Sequence, residues 1–318
     1  MRAIVIEPPD GLNWTEVDEP VAGDGEVIVD VTAAAVNRAD VLQRQGNYPP
    51  PAGSPPYPGL ECSGVISAIG PGVRDHNVGE RVCALLAGGG YAERVAVPAG
   101  QLLPVPRGMS VQEAAALPEV ACTVYSNVGR LRRDAVFLVH GGGGGIGTFA
   151  VQYGKALGAT VVVTARAAKH DALRKLGADL TIDYTTDDFV AATEEFTGGR
   201  GADIVLDIIG AKYLERNLDV LATGGRIAVI GLQGGRKAEL DLGKLMRKRG
   251  SISATTLRSR SVADKSKIVS GVRDNVWPLV DAGEIKPIID VTMPMSEAIE
   301  AHRRMEASDH LGKIVLLP

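Results

Sequence analysis

The chain is short of cysteine, histidine and aromatic side chains, and each shortage removes a class of protein. Its 318 residues include three cysteines, Cys62, Cys83 and Cys122, an odd number at wide spacing. That usage fits reduced thiols and argues against a disulfide framework. The five histidines, His76, His140, His170, His302 and His310, show no metal-ligand spacing, so no metal is expected. Aromatics make up only 4% of the chain and are not interleaved with basic clusters, which argues against stacking on nucleic-acid bases. Neither charge sign dominates: 34 Lys and Arg face 38 Asp and Glu, for a formal net charge of −4. A broad polyanion-binding surface is therefore not expected. No apolar run reaches the roughly 20 residues of a membrane span. The first residues, MRAIVIEPP, read directly as a strand, with no charged leader ahead of an apolar segment. Together these features predict a cytoplasmic globular protein with neither nucleic acid nor membrane as a partner.

Glycine, by contrast, is plentiful, at 39 residues. Its most informative cluster lies in Ala135–Gly147, AVFLVHGGGGGIG, followed by TFAVQYGKALGA. A β-branched run enters the glycines and an amphipathic stretch leaves them. A strand stopping at Gly141 and a helix starting near Ile146 put Gly142, Gly144 and Gly147 at G-x-G-x-x-G spacing. Side chains there would block the approach of backbone amides to a pyrophosphate, which the amides of Gly145 and Ile146 and the positive helix end would hold. Five consecutive glycines could also be a plain flexible loop. The strand–turn–helix context separates the two readings and favours dinucleotide binding.

Short strands, Ala3–Glu7, Glu26–Ala33 and Glu93–Val97, sit among Gly, Pro and Asp in the first hundred residues. Tyr48 to Gly59, YPPPAGSPPYPG, is excluded from helix and central strand by its prolines. It is either a rigid cleft wall or a surface connector. From about Val111 the chain turns helical, with an interruption expected at Pro118, and βα alternation follows. Strands are predicted at Ala135–His140, Thr160–Arg166, Leu180–Asp183, Ile204–Ile209, Arg226–Gly231 and Ile252–Leu257. Helical patterns such as Lys169–Leu176, Asp187–Phe196 and Leu242–Lys248 separate them. Six strands in this alternation indicate an α/β, doubly wound parallel sheet. A helix after Ser261, a strand near Pro287–Val291, a helix Ser296–Glu306 and a strand Lys313–Leu317 form a tail expected to pack on the N-terminal part.

The second predicted strand, TVVVTAR, ends without the carboxylate that receives an NAD ribose. Arg166 and Lys169 stand there instead and suit a 2′-phosphate, with the Tyr184 hydroxyl in reach; the alternative is a solvated helix start. The reading selects NADPH as cofactor. The turn Gly231–Leu232 and the segment Leu257–Ser259 lie at the carboxyl edge of the predicted sheet, where backbone atoms could hold the nicotinamide carboxamide. Arg258 and Arg260 are either at the cleft mouth or on the surface. The apolar, uncharged edge strand at 251–257 invites pairing with a second copy, predicting a homodimer.

Several segments carry a family resemblance: AAAVNRADVLQRQGNYP (Ala33–Pro49), PGLECSGVI (Pro58–Ile66), GERV (Gly79–Val82), GGYAERVAVP (Gly89–Pro98), LPEVACTVY (Leu117–Tyr125) and TTLRSRS (Thr255–Ser261). Nearly the whole chain resembles the zinc-free, zeta-crystallin-like quinone oxidoreductases of the medium-chain dehydrogenase/reductase superfamily. The resemblance implies a GroES-like catalytic domain at 1–115 and 260–318, interrupted by a Rossmann NADPH-binding domain at 116–259. It implies that Asn37 and Tyr48 line the nicotinamide end of the cleft, that Thr123 touches the nicotinamide ribose, and that dimers join sheet edges. The zinc-dependent members carry a cysteine and a histidine where Asn37 and Leu60 stand here. The fifth glycine departs from the family, whose turn usually carries Ala or Ser.

These features predict metal-independent hydride transfer from NADPH to a small molecule, a quinone or similar conjugated carbonyl, whose reduced anion is delocalised and needs little help. Tyr48 could donate to the acceptor oxygen, or pack among its prolines. Asn37 could offer its amide to the cleft, or cap the helix that follows. Reduction of an enal, enone or enoyl thioester is the alternative activity. A structural or RNA-binding protein with NADPH as ligand is the alternative of another class.

Overall fold

The computed structural model describes every residue except Asp10 and Arg130, and the chain divides into two compact units. The first comprises Met1–Cys122, Leu257–Gly283 and Pro287–Pro318; the second comprises Thr123–Thr256 and Glu284–Lys286.

The chain opens with β1 (Arg2–Glu7), β2 (Gly11–Glu16), β3 (Glu26–Ala35), α1 (Arg38–Arg44), β4 (Glu61–Ile69), β5 (Arg81–Leu85), β6 (Arg94–Pro98) and β7 (Leu102–Pro104). Helices α2 (Val111–Ala114) and α3 (Pro118–Val128) follow. Pro118 does not interrupt a helix, as expected from the sequence; it begins one. Its missing N–H is one that a first helical turn leaves unpaired anyway, and its fixed φ is already helical.

The βα alternation then gives β8 (Val136–His140), α4 (Gly145–Ala156), β9 (Thr160–Thr164), α5 (His170–Lys175), β10 (Leu180–Ile182) and α6 (Phe189–Phe196). It continues with β11 (Ala202–Asp207), α7 (Leu214–Val220), β12 (Leu221–Val229), α8 (Leu242–Lys248) and β13 (Ser251–Ala254). The tail contributes α9 (Val262–Asn275), α10 (Trp277–Asp281), β14 (Ile289–Pro294), α11 (Ala298–Ala307) and β15 (Lys313–Leu317).

In the first unit a seven-stranded sheet runs β14-β15-β3-β4-β5-β7, with β6 also on β3. The ten residues of β3 serve two neighbours along one side: Glu26–Asp30 pair with β6, and Ala34–Ala35 with β15. The tail thus completes the sheet, as its sequence predicts. Alternate residues of β3, Val27, Val29 and Val31, enter a core shared with Ile4, Ile66, Val95 and Leu316.

The second unit holds a six-stranded parallel sheet in the order β10-β9-β8-β11-β12-β13, the doubly wound arrangement expected. All five residues of β8 are buried, as suits a strand covered on both faces. Several predicted strands overrun the observed ends, among them β9 and β13. β9 stops at Thr164, because Arg166 opens a 3₁₀ turn over Ala167–Lys169. β13 stops at Ala254, and the Thr255 hydroxyl then donates to Asn127 Oδ1 at 2.6 Å. Lys286 belongs here because Gln152 of α4 exchanges two hydrogen bonds with its backbone, both 2.9 Å.

Candidate active site

The glycine turn joins β8 to α4. His140, at the strand end, is 1% exposed. Its Nδ1 lies 3.1 Å from Thr164 Oγ1 and its Nε2 lies 2.8 Å from Asn217 Oδ1. Burial pushes its pKa down to about 4, so the ring is neutral at pH 7 and ties β8, β9 and α7 together. Gly141 then takes φ +72°, a left-handed value that favours glycine. A Cβ on Gly147 would stand 2.4 Å from the Gly141 carbonyl oxygen, and one on Gly142 would stand 2.0 Å from Val163 Cγ2. Packing therefore demands glycine at both. Gly144, the N-cap of α4, has nothing nearer than 3.7 Å and tolerates a methyl group. The amides of Gly145, Ile146 and Gly147 form the first turn, where no carbonyl lies behind them to accept. A cradle of bare backbone at a helix N-terminus fits the pyrophosphate of a dinucleotide.

Arg166 is exposed at the start of its 3₁₀ turn. Lys169 reaches back over the glycines: its Cδ lies 2.3 Å, and its Nζ 3.1 Å, from where a Gly143 Cβ would be. Tyr184, just past β10, is 40% exposed. Sequence reasoning missed Asp183 beside it, whose Oδ2 accepts from the Ala167 amide at 3.1 Å. Hydrogen bonds from Thr185, chiefly from its hydroxyl, hold the Asp183 carboxyl below the usual carboxylate range. Its position one strand away, directly before Tyr184, was the available signal. Gly231 packs on Ile208, whose carbonyl oxygen would be 2.8 Å from a Cβ, and Leu232 is 51% exposed. Thr123 sits in α3 as the first residue of the second unit. Leu257, buried, and Ser259, exposed, belong to the first unit, unlike the other residues expected to hold the cofactor.

In the first unit, Asn37 precedes α1 with its side chain fully engaged. Its Nδ2 donates to the Ala35 carbonyl (3.2 Å) and to Glu61 Oε1 (3.0 Å), and its Oδ1 accepts from Lys313 Nζ (2.8 Å). Lys313 also pairs with Glu61 at 2.6 Å, both side chains almost wholly buried. The second Glu61 oxygen accepts the Glu119 amide at 2.8 Å, in the first turn of α3. Sequence analysis missed Lys313 because 252 residues separate it from Glu61. Asp40, fully buried, accepts from the amides of Asn37 (2.8 Å) and Gly59 (2.9 Å) and from the Tyr91 hydroxyl (3.2 Å). Burial raises its pKa to about 6 despite these donors. Tyr91 also lies 3.3 Å from His302 Nε2, and burial lowers that histidine to about 3.

Tyr48 is half-buried at the head of the proline-rich segment. Burial raises its phenol pKa, the Glu119 charge adds to that, and the Arg258 charge opposes it. Among the described residues its hydroxyl has no hydrogen-bond partner. Arg258 is not a solvated surface residue: it is 3% exposed, with its guanidinium carbon 5.3 Å from the Tyr48 ring centroid. Cys62, Cys83 and Cys122 are buried free thiols, and burial pushes all three thiol pKa values up, that of Cys62 to about 12. Among the described residues no group of three or more His, Cys, Asp or Glu could hold a metal ion, and no helix is long and apolar enough to cross a membrane.

Two family models match the chain. One, described as an alcohol dehydrogenase GroES-like domain, covers residues 23–107; the other, a zinc-binding dehydrogenase, covers 145–270. A 2-haloacrylate reductase from Burkholderia sp. is 34% identical, over 98% of this chain and 96% of its own. A solved Escherichia coli quinone oxidoreductase complexed with NADPH superposes with a TM-score of 0.88 at 29% identity, covering 100% of this chain and 99% of that one. A solved NAD-dependent alcohol dehydrogenase superposes with a TM-score of 0.87 at 32% identity over the whole of both chains.

Proposed function

From the premise that this chain belongs to the quinone oxidoreductase subgroup of the medium-chain dehydrogenase/reductase superfamily, an NAD(P)H-dependent oxidoreductase, we propose that it reduces a quinone or similar conjugated carbonyl with NADPH. Bound reduced nicotinamide supplies the hydride. The Gly142–Gly147 cradle, with Gly144, Gly145 and Ile146 at its mouth, holds the pyrophosphate. Arg166, Lys169 and Tyr184 receive the 2′-phosphate, Thr123 the nicotinamide ribose, and Gly231–Leu232 the carboxamide.

One observation carries the acceptor reading. The buried polar groups Asn37, Glu61, Lys313 and Asp40 are all engaged within the first unit, while the Tyr48 hydroxyl is unengaged beside a buried guanidinium. An acceptor that becomes a delocalised anion needs only such a donor and a positive field, not a strong acid or a Lewis acid. Asn37 then shapes the site through Glu61 and Lys313 rather than by donating. Likeness to a 2-haloacrylate reductase favours, as a second reading, an activated alkene as acceptor, such as an enal, enone or enoyl thioester.

The deciding experiment is a steady-state panel of ortho-quinones, naphthoquinones, 2-enals and enoyl thioesters, each with NADPH and with NADH. Quinone turnover with NADPH preferred is expected; turnover of alkenes alone would transfer the protein to the second reading. Tyr48→Phe should lower quinone kcat by about 10-fold, the scale of one hydrogen bond to developing charge, with the KM for NADPH unchanged. Equal kinetics in the two proteins would remove the hydroxyl from the reaction. A homodimer in the cytoplasm completes the proposal. The edge strand β13 and the exposed Leu242 (63%) and Met246 (76%) of α8 favour pairing of second units along β13, and sedimentation at micromolar concentration tests it.

A further inference from the structure

The proline-rich segment has no regular secondary structure of its own, so something else must hold it. Arg258 does so from 200 residues away in sequence. Its Nε donates to the Ala87 carbonyl at 2.7 Å, one terminal nitrogen to the Tyr48 carbonyl at 3.0 Å, and the other to Gln43 Oε1 at 2.6 Å. Gln43, on α1, passes the restraint on: its Nε2 donates to the Pro56 carbonyl at 2.8 Å. One guanidinium thereby grips the head of the segment directly and its far end through Gln43. The Gly88–Gly90 turn that follows Ala87 closes on the same segment, Gly89 donating to Tyr57 O at 2.9 Å and Gly90 to Gly59 O at 3.1 Å. A Cβ on Gly88 would stand 2.9 Å from the Pro55 carbonyl oxygen, so the two strips of backbone touch.

All three direct acceptors are neutral. The guanidinium is buried without a hydrogen-bonded carboxylate, and Asp40 and Glu119 are the carboxylates that act on it through space. Its positive charge is incompletely cancelled, and it lies over the Tyr48 ring, whose hydroxyl has no hydrogen-bond partner among the described residues. Only a planar fork of donors reaches three acceptors while stacking on a ring; an ammonium cannot.

We propose that Arg258 is the positioning residue for Tyr48, fixing the ring and the proline-rich wall as one rigid face and lending its charge to an acceptor oxygen bound there. This rests on the reading of Tyr48 as the donor to a conjugated carbonyl. A rigid face of ring and prolines selects flat acceptors, so loosening it should penalise two-ring quinones more than short 2-enals.

Arg258→Lys, which keeps charge without the fork, and Arg258→Met, which keeps the stem alone, test this together with Tyr48→Phe in a double-mutant cycle. Arg258→Lys should lower kcat for a naphthoquinone about 10-fold in the parent and at most 2-fold in the Tyr48→Phe background, with the dissociation constant for NADPH unchanged. Equal losses in both backgrounds, or weakened NADPH binding instead, would overturn it. A readout independent of turnover uses 3-fluorotyrosine at position 48 and its ¹⁹F titration. Losing the cation in Arg258→Met should move the phenol titration to higher pH, with Glu119 and Asp40 still in place, whereas Arg258→Lys should broaden the resonance. An unmoved titration would overturn the positioning role. A shifted titration in a protein that reduces no conjugated carbonyl would support the clamp and overturn the reductase reading.

Discussion

The two units make their polar sites by opposite means. In the second, the glycine turn works by lacking side chains, and every residue of the cradle comes from one stretch of six. In the first, the polar cluster is made of charged and amide side chains from β4, β15 and the start of α1, with 24, 252 and 276 residues between partners. A site made from bare backbone depends on local conformation and close packing. A site made from buried charge depends on every partner being present, because each unpaired member bears the full cost of desolvation.

That contrast can be broken at several points, the largest effect first. Lys313→Met leaves the Glu61 carboxylate buried without its ion-pair partner and should cost about 3–5 kcal/mol in urea unfolding. Pairing it with Glu61→Leu should recover part of that loss. Gly147→Ala places its methyl on the Gly141 carbonyl and should weaken nucleotide binding about 100-fold, near 2.7 kcal/mol, in a fluorescence titration. Gly144→Ala should stay within about 2-fold, since nothing is crowded there.

Acid acts on both units. His140 is held at about 4 and His302 at about 3, below the ordinary 6.5, so the unfolded chain takes their protons first. Stability is lost as pH falls from 6.5 toward those values. Asp40, raised to about 6, acts the other way, its stabilisation of the folded state being lost as pH rises through 3.8 to 6. Between pH 6 and 4 Asp40 opposes His302 in the first unit, and Asp207, whose carboxyl burial raises, opposes His140 in the second. His140→Gln should therefore flatten the second unit's acid loss over that range, read as protection in hydrogen exchange corrected for intrinsic rates. Arg166→Asp should raise the KM for NADPH about 10-fold and that for NADH less than 2-fold; equal changes would remove the phosphate assignment.

The same contrast explains what could be read from the sequence. The parallel sheet and its glycine turn were legible because period, turn chemistry and packing demand all lie within consecutive residues. The tail's return to the first unit was legible from its brevity. Strand ends were less so: β9 and β13 stop short where a 3₁₀ turn and a threonine–asparagine bond take over, and neither leaves a mark in hydrophobic pattern. Asp183 was hidden because strand adjacency, not chain adjacency, brings it to the turn. Arg258 read equally as surface or cleft, since only its three acceptors, drawn from distant loops and α1, decide the matter. Asn37 carried both a helix-start and a polar-cluster role, and no single-sequence pattern reveals that Lys313 occupies its carbonyl.

β15 has a consequence for the order of events during synthesis. The strands of the second unit lie between residues 136 and 254, so that sheet can close while the ribosome is still adding the tail. The first unit, begun earlier, holds open the flank of β3 that only residues near 315 can cover, and leaves Glu61 without its lysine until then. The earliest-made part of the polypeptide is thus the last to mature, and over that interval its uncovered strand is where chaperones would be needed.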